Sequence, residues 1–434
     1  MLSKDGSRGL SWFAAALPAL LLMASPAIAQ NNGSAVKLLN TIPVPVTSAN
    51  NTAGGLYSYD ISWVDHRTQR YYLADRSINV VDVIDAKDET FVKQISANPK
   101  FAGFTGSTAK SGPNGVVTFA QYLFVTDANS RVVTINLTND STVADVSTGG
   151  ATGLRADELA VDSFGRFLLV VNNADNPPFA TLIGINLGNG ALTVGSRITF
   201  NNANVGFNAT NGAEQPVWEP ITGKFYLSIP EVNGVTNAGG IARIDPFSAK
   251  VEALYPVYNC SPAGLAVGPH SNLLVGCNTV FDTTGKVWSG TDSNTAAPIQ
   301  VIVDAFSGNV LKVIPGVGVG DEVWYNQGDD TYYTASSGSP QAPSEVVAST
   351  ALTAQGAAIM GVIDAEAQAL VQLVPTLNVP AVTGTSAHPA GTAHSVAANG
   401  KTTHVFMPLA ANNVFPSCTT GCVAVFGRGV SPGY

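Results

Sequence analysis

The chain has 434 residues, 45% hydrophobic and only 12% charged, with 43 glycines, 25 prolines and a formal net charge of −9. Low charge with frequent turn formers excludes a long-helical or disordered chain and points to many short strands. The acidic balance, without any basic run, argues against nucleic acid or an anionic membrane surface as partner.

The N-terminus reads as a targeting segment. Lys4 and Arg8 precede an apolar stretch from Trp12 to Met23, and Ala27-Ile28-Ala29 offers a small-x-small cleavage site. Residues 1–29 are therefore expected to be a bacterial signal peptide, giving a periplasmic or secreted protein that begins near Gln30. The apolar stretch is too short for a good membrane span, and no later segment approaches that length. The four cysteines suit an oxidising compartment and fall into two local pairs, Cys260 with Cys277 and Cys418 with Cys422.

Next in the chain, Val36-Lys37-Leu38-Leu39-Asn40-Thr41-Ile42 reads as an isolated strand. A third-strand signature then recurs as Val80–Asp85, Val132–Asn136, Leu182–Asn186, Ile241–Asp245, Val301–Asp304, Gly361–Asp364 and Val423–Phe426. Its period of about 50 to 60 residues matches propeller blades. An aromatic and aliphatic strand precedes most copies, as in Arg70-Tyr71-Tyr72-Leu73 and Phe167-Leu168-Leu169-Val170. Before that comes a small-residue strand such as Leu159-Ala160-Val161. Small side chains suit the crowded centre of a ring. The expected fold is all-β: a seven-bladed β-propeller of four-stranded antiparallel blades, one monomeric domain over residues 30–434. The last copy lacks a fourth strand, so the N-terminal strand is expected to close it and remove exposed sheet edges.

Aligning the repeats on the turn after the small-residue strand (Asp65, Asp162, Glu219, Gly268, Asn326, Asn399) exposes a ring position five residues earlier. It holds Asp60, Asp157, Glu214, Ala263, Asp321 and His394, with Asn114 in the looser second repeat. In a closed ring these side chains converge on one axis. Crowded carboxylates need protons, cations or hydrogen-bond donors to offset their repulsion. Oxygen donors favour Ca²⁺ or Mg²⁺, and recruiting His394 would shift preference toward Mn²⁺, Fe²⁺ or Zn²⁺. Two other readings stay open: side chains that cap backbone N–H groups, and a metal-free polar funnel. Glu158 and Glu322, one position later, are expected to point the opposite way.

Segments such as Glu158-Leu159-Ala160-Val161-Asp162 resemble the YVTN/YncE-like repeats of secreted bacterial propellers. More narrowly, Glu214-Gln215-Pro216-Val217-Trp218 resembles the Glu-Gly-Pro-x-Trp segment of SMP-30/gluconolactonase-type propellers, with Gln215 in place of Gly. That second resemblance implies a divalent cation held by Glu214, Asp157, Asp321 and Asn114. His394 or Asp60 would then move protons in a lactone or ester hydrolysis. The first implies instead a non-enzymatic binding or scaffold protein. Either way the expected partner is a small molecule in the axial funnel.

Other motifs carry less. His404, His66 and His270 read as surface or packing residues, and His388 as a loop residue able to reach the funnel. Gly316-Val317-Gly318-Val319-Gly320 lacks the helix and Lys of a phosphate loop, and no Gly-x-Ser-x-Gly elbow is present. Trp63, Trp218 and Trp324 share one inner-strand position and are expected to pack blades together.

Overall fold

Many strand pairs among the described residues are ended by a side chain that caps its own turn. After the first strand of a blade, Asp65, Asp162, Glu219, Asn326 and Asn399 accept from backbone N–H groups two to five residues on, as in Asp65 with Arg67 (2.8 Å). After the third strand, Asp85, Asn136, Asn186, Asp245, Asp304 and Asp364 do the same. The recurring Asp and Asn of the sequence signature are thus turn-formers, whose carboxyl or amide oxygen replaces a backbone acceptor.

The computed structural model describes residues 34–47, 55–287, 298–318, 320–339, 357–376, 394–412 and 415–429. The signal-peptide segment and His388 lie outside the described residues. Seven four-stranded antiparallel sheets follow one another in chain order, confirming the all-β, seven-bladed propeller. The innermost strands run from Tyr59–Asp65, Val116–Phe119 and Leu159–Val161 through Pro216–Glu219, Cys260–Val267 and Gly320–Asn326 to Ala397–Asn399. Among the described residues no helix is long and apolar enough to cross a membrane. Both expected disulfides form, Cys260–Cys277 (Cα–Cα 5.0 Å) and Cys418–Cys422 (4.9 Å), compatible with an oxidising compartment.

The ring is closed as the sequence implies. Val36–Pro43 pairs antiparallel with Cys422–Arg428 and completes the last blade. Its apolar face is buried: Ile42 packs with Leu56, Tyr59, Phe406 and Val425. At the other end Gln372 of the preceding blade clamps Val36, accepting from its N–H (2.8 Å) and donating to its carbonyl (2.7 Å). Ile42→Ala is expected to cost about 2–5 kcal/mol in denaturant unfolding, whereas exposed Lys37→Ala should be near neutral. Equal stability of the two variants would show that closure does not depend on this strand.

Candidate functional site

The ring position begins each innermost strand, so the backbone itself brings these residues together. Neighbouring blades are stitched there: the Ile61 N–H donates to the Asn114 carbonyl (3.2 Å) and the Gly115 N–H to the Asp157 carbonyl (3.1 Å). The approach is so close that a Cβ on Gly115 would sit 2.8 Å from the Asp157 carbonyl oxygen, and one on Gly264 2.3 Å from that of Asp321. Glycine is required at both places.

The converging side chains bond chiefly to one another. Asp60, 4% exposed, directs Oδ2 at the guanidinium of Arg76 and at Arg155 Nη1 (3.4 Å), while Oδ1 meets His394 Nε2 at 2.8 Å. Asn114 Oδ1 accepts from Arg76 Nε (3.0 Å) and Nη2 (2.6 Å), and its amide donates to the Ala156 carbonyl (2.8 Å). Arg155 Nη2 pairs with Asp157 Oδ2 (2.7 Å), and its Nε reaches Asn173 Oδ1 at 3.4 Å. The chain ends where His394 Nδ1 meets Asp321 Oδ2 (2.5 Å) and Asn278 donates to Asp321 Oδ1 (2.8 Å). Only Asn114 spends its side chain on the backbone here.

Electrostatics follow from that geometry. Burial alone would raise the Asp60 pKa, but Arg76, the His394 hydrogen bond and Arg155 outweigh it and hold the carboxylate well below its usual range. Burial would lower the His394 pKa, yet Asp321 and Asp60 keep the imidazole charged well above its ordinary range. Asp157 is pushed up to about 6 by burial despite Arg155. Glu214 rises to about 8, through burial first and then the charges of Asp157 and Asp321. The carboxyl groups of Asp60, Asp157 and Asp321 therefore face three basic side chains, Arg76, Arg155 and His394, while burial favours the protonated form of Glu214.

Beyond the ring the axis changes character. A cavity of about 450 Å³ starts one residue further along the inner strands and runs toward the opposite face. Its walls include Ile61, Leu159, Val161, Val217 and Val267, with Trp63, Trp218 and Trp324 toward the turns. The three indoles do pack against the blade cores, as expected, but they also line this channel. Trp63 and Trp324 meet edge to face, their centroids 5.1 Å apart. Glu158 and Glu322 line the channel's inner end; contrary to the expectation that they turn the opposite way, they meet across the axis beside the ring, where the inner strands of the third and sixth blades face each other.

The other described histidines stay outside both regions. His404 binds Glu89 (2.5 Å), exposed His270 binds Glu366 (3.1 Å), and His66 Nδ1 accepts from the Gly400 N–H (3.3 Å). Gln215, in place of the Gly of the family-like segment, accepts from the Leu265 N–H (2.5 Å) and ties the fourth blade to the fifth. Sequence reasoning missed Arg76, Arg155, Asn173 and Asn278. A signal existed: Asp75-Arg76 and Asn172-Asn173 stand at the same place, the end of a second strand on the ring's face.

Asp75 shapes the turn that aims Arg76 at the axis, its Oδ1 accepting from the Ser77 N–H (2.6 Å). It is fully buried beside Asp82, whose Oδ1 accepts from Gln94 (3.0 Å). Burial pushes Asp75 up to about 7, and burial together with Asp75 raises Asp82 well above the carboxylate range. The pair thus holds protons in the folded state that the unfolded chain releases from about pH 4. A raised folded pKa gives stability that is present in acid and lost as pH rises through about 7. The melting temperature should accordingly fall from pH 5 to pH 8, and fall less in Asp82→Asn, which keeps the Gln94 hydrogen bond. An unchanged slope in the variant would contradict the shared-proton pair.

No family model and no curated protein matches the chain. Among solved structures it is similar to the Kuenenia stuttgartiensis hydrazine synthase, at 11% identity and a TM-score of 0.60, over 89% of this chain and 99% of that one. At that identity the likeness concerns the propeller fold alone.

Proposed function

We propose that the protein is an exported small-molecule-binding propeller, nearer to the YncE-like reading than to a lactonase, whose axial ring works without a metal ion. One observation carries this: Arg76, Arg155 and His394 sit among the carboxylates and supply the charge that a divalent cation would bring. The donor set is already committed. Asn114 Oδ1 accepts from Arg76, Asp157 faces Arg155, Asp321 faces His394 and Asn278, and Glu214 is protonated at neutral pH. A resident Ca²⁺, Mg²⁺, Mn²⁺ or Zn²⁺ does not fit this arrangement without displacing a guanidinium. His394 and Asp60, the expected proton movers, hold each other in an ion pair, which removes the free base that hydrolysis needs. The ring then plugs one end of the axis, and the channel beneath it is left for a ligand.

Metal content of protein purified without chelators tests this, beside a lactone and ester screen with added Ca²⁺, Mn²⁺ and Zn²⁺. We expect substoichiometric metal and no metal-dependent hydrolysis. Stoichiometric metal that is lost in Glu214→Gln plus Asp321→Asn, or hydrolysis that needs it, would overturn the reading. N-terminal sequencing of the exported protein should start near Gln30; a retained leader would overturn export by cleavage.

A further inference from the structure

The channel's chemistry is more specific than its size. Its charged lining residues are Glu158, Asp162 and Glu322, with no Lys, Arg or His among them. Asp162 is already satisfied by Arg166, at 2.8 Å from its Nε and 2.5 Å from its backbone N–H. Glu158 and Glu322 are different. They are 7% and 4% exposed, come from the third and sixth blades, and meet each other across the axis. Among the described residues neither forms an ion pair. Other acids crowd them from the ring side: Asp157, Glu214 and Asp60 act on Glu158, and Asp321 and Asp60 on Glu322, opposed by Arg155 at Glu158 and by His394 at Glu322.

Burial and mutual repulsion raise both carboxyls well above their ordinary range, and the two hydrogen-bond each other, so at the blind end of this apolar, indole-walled channel the pair holds protons that a bound cation would displace. Aromatic faces also favour a cation, because the π-cloud of an indole attracts positive charge. A neutral apolar ligand would bury against the walls but leave the carboxyl pair unused. An anion finds no basic side chain among the lining residues to pair with. An inorganic cation would have to shed its hydration shell along Val, Leu and Trp surface, which is costly. A cation spread over an organic group loses little hydration and gains both features. At the open end, exposed Ser163 and Pro220 lead directly to Phe164 (66% exposed) and Ile221 (72%), giving the mouth an apolar rim.

We infer that the axial channel binds an organic cation, an ammonium carrying an apolar body, with Glu158 and Glu322 as its counter-charges and Trp63, Trp218 and Trp324 as its walls. This rests on the reading that the axis holds a small molecule, and it names the ligand's class.

The probe is choline, titrated by tryptophan fluorescence into the mature full-length protein. Its uncharged isostere, 3,3-dimethylbutan-1-ol, serves as control, since the two differ in charge and hardly in shape. Choline should bind saturably and roughly tenfold or more tightly than the alcohol. Glu158→Gln plus Glu322→Gln should bring choline down to the alcohol's level, and Trp324→Leu should weaken it. The single variants Glu158→Gln and Glu322→Gln each keep one acid and serve if the double variant does not fold. Equal affinity for choline and the alcohol, unchanged choline affinity in the folded Gln variants, or no choline binding to wild type would each overturn the inference. Such a result in metal-free protein leaves the binding reading standing; metal-dependent hydrolysis sinks that reading whatever choline does.

Discussion

The centre of this propeller depends on Asp60. Its carboxylate accepts from Arg76 of its own blade, from Arg155 at the start of the third blade and from His394 at the start of the seventh. Through those partners it reaches Asn114, Asp157 and Asp321, and through Asp321 the Asn278 amide of the fifth blade. One buried carboxylate therefore couples the beginnings of five inner strands, and a sixth blade joins by its second strand. Seven sheets that converge on an axis need something to fill it. Here the filling is polar, and it is directional in a way that apolar packing is not.

Buried ion pairs are not evidence of net stability, because desolvating each charge costs several kcal/mol before the pair repays any of it. What such a network supplies is register. Each donor has one acceptor that suits it, so a blade displaced by one residue would leave a guanidinium or carboxylate unpaired in the interior, a costly defect. The stability of the ring is drawn from elsewhere: from apolar clusters that span adjacent blades, and from Val36–Pro43, whose pairing with Cys422–Arg428 leaves no blade incomplete. The same division explains the axis. Polar side chains at the start of the strands close it, and the apolar alternation that follows leaves it hollow.

Most of the architecture was legible in the sequence, for a local reason. Asp65, Asp162, Glu219, Asp245 and Asp304 cap turns within their own hairpins, so the repeat they mark is written in consecutive residues. The ring position was legible too, because it lies at fixed distance from those turns. The cations were not. Arg155 belongs to a loop at an offset found in one blade, and Arg76 shares with Asn173 only its place after a second strand, a signal far weaker than the ring position itself. Four acids seen without their two guanidiniums suggest a metal. The channel was hidden for a related reason: Trp63, Trp218 and Trp324 look alike as packing residues, and only the ring closure shows that they also face the axis.

The protonation of His394 tests the central claim most directly, because the imidazole lies between the two carboxylates that a metal would otherwise compete for. Its two ring nitrogens can be read by nitrogen-15 NMR at pH 8, before and after Ca²⁺ or Zn²⁺ is added. A charge-compensated ring predicts both nitrogens protonated and no response to either ion. A neutral tautomer at that pH, or a ring signal that moves on stoichiometric metal, would contradict it.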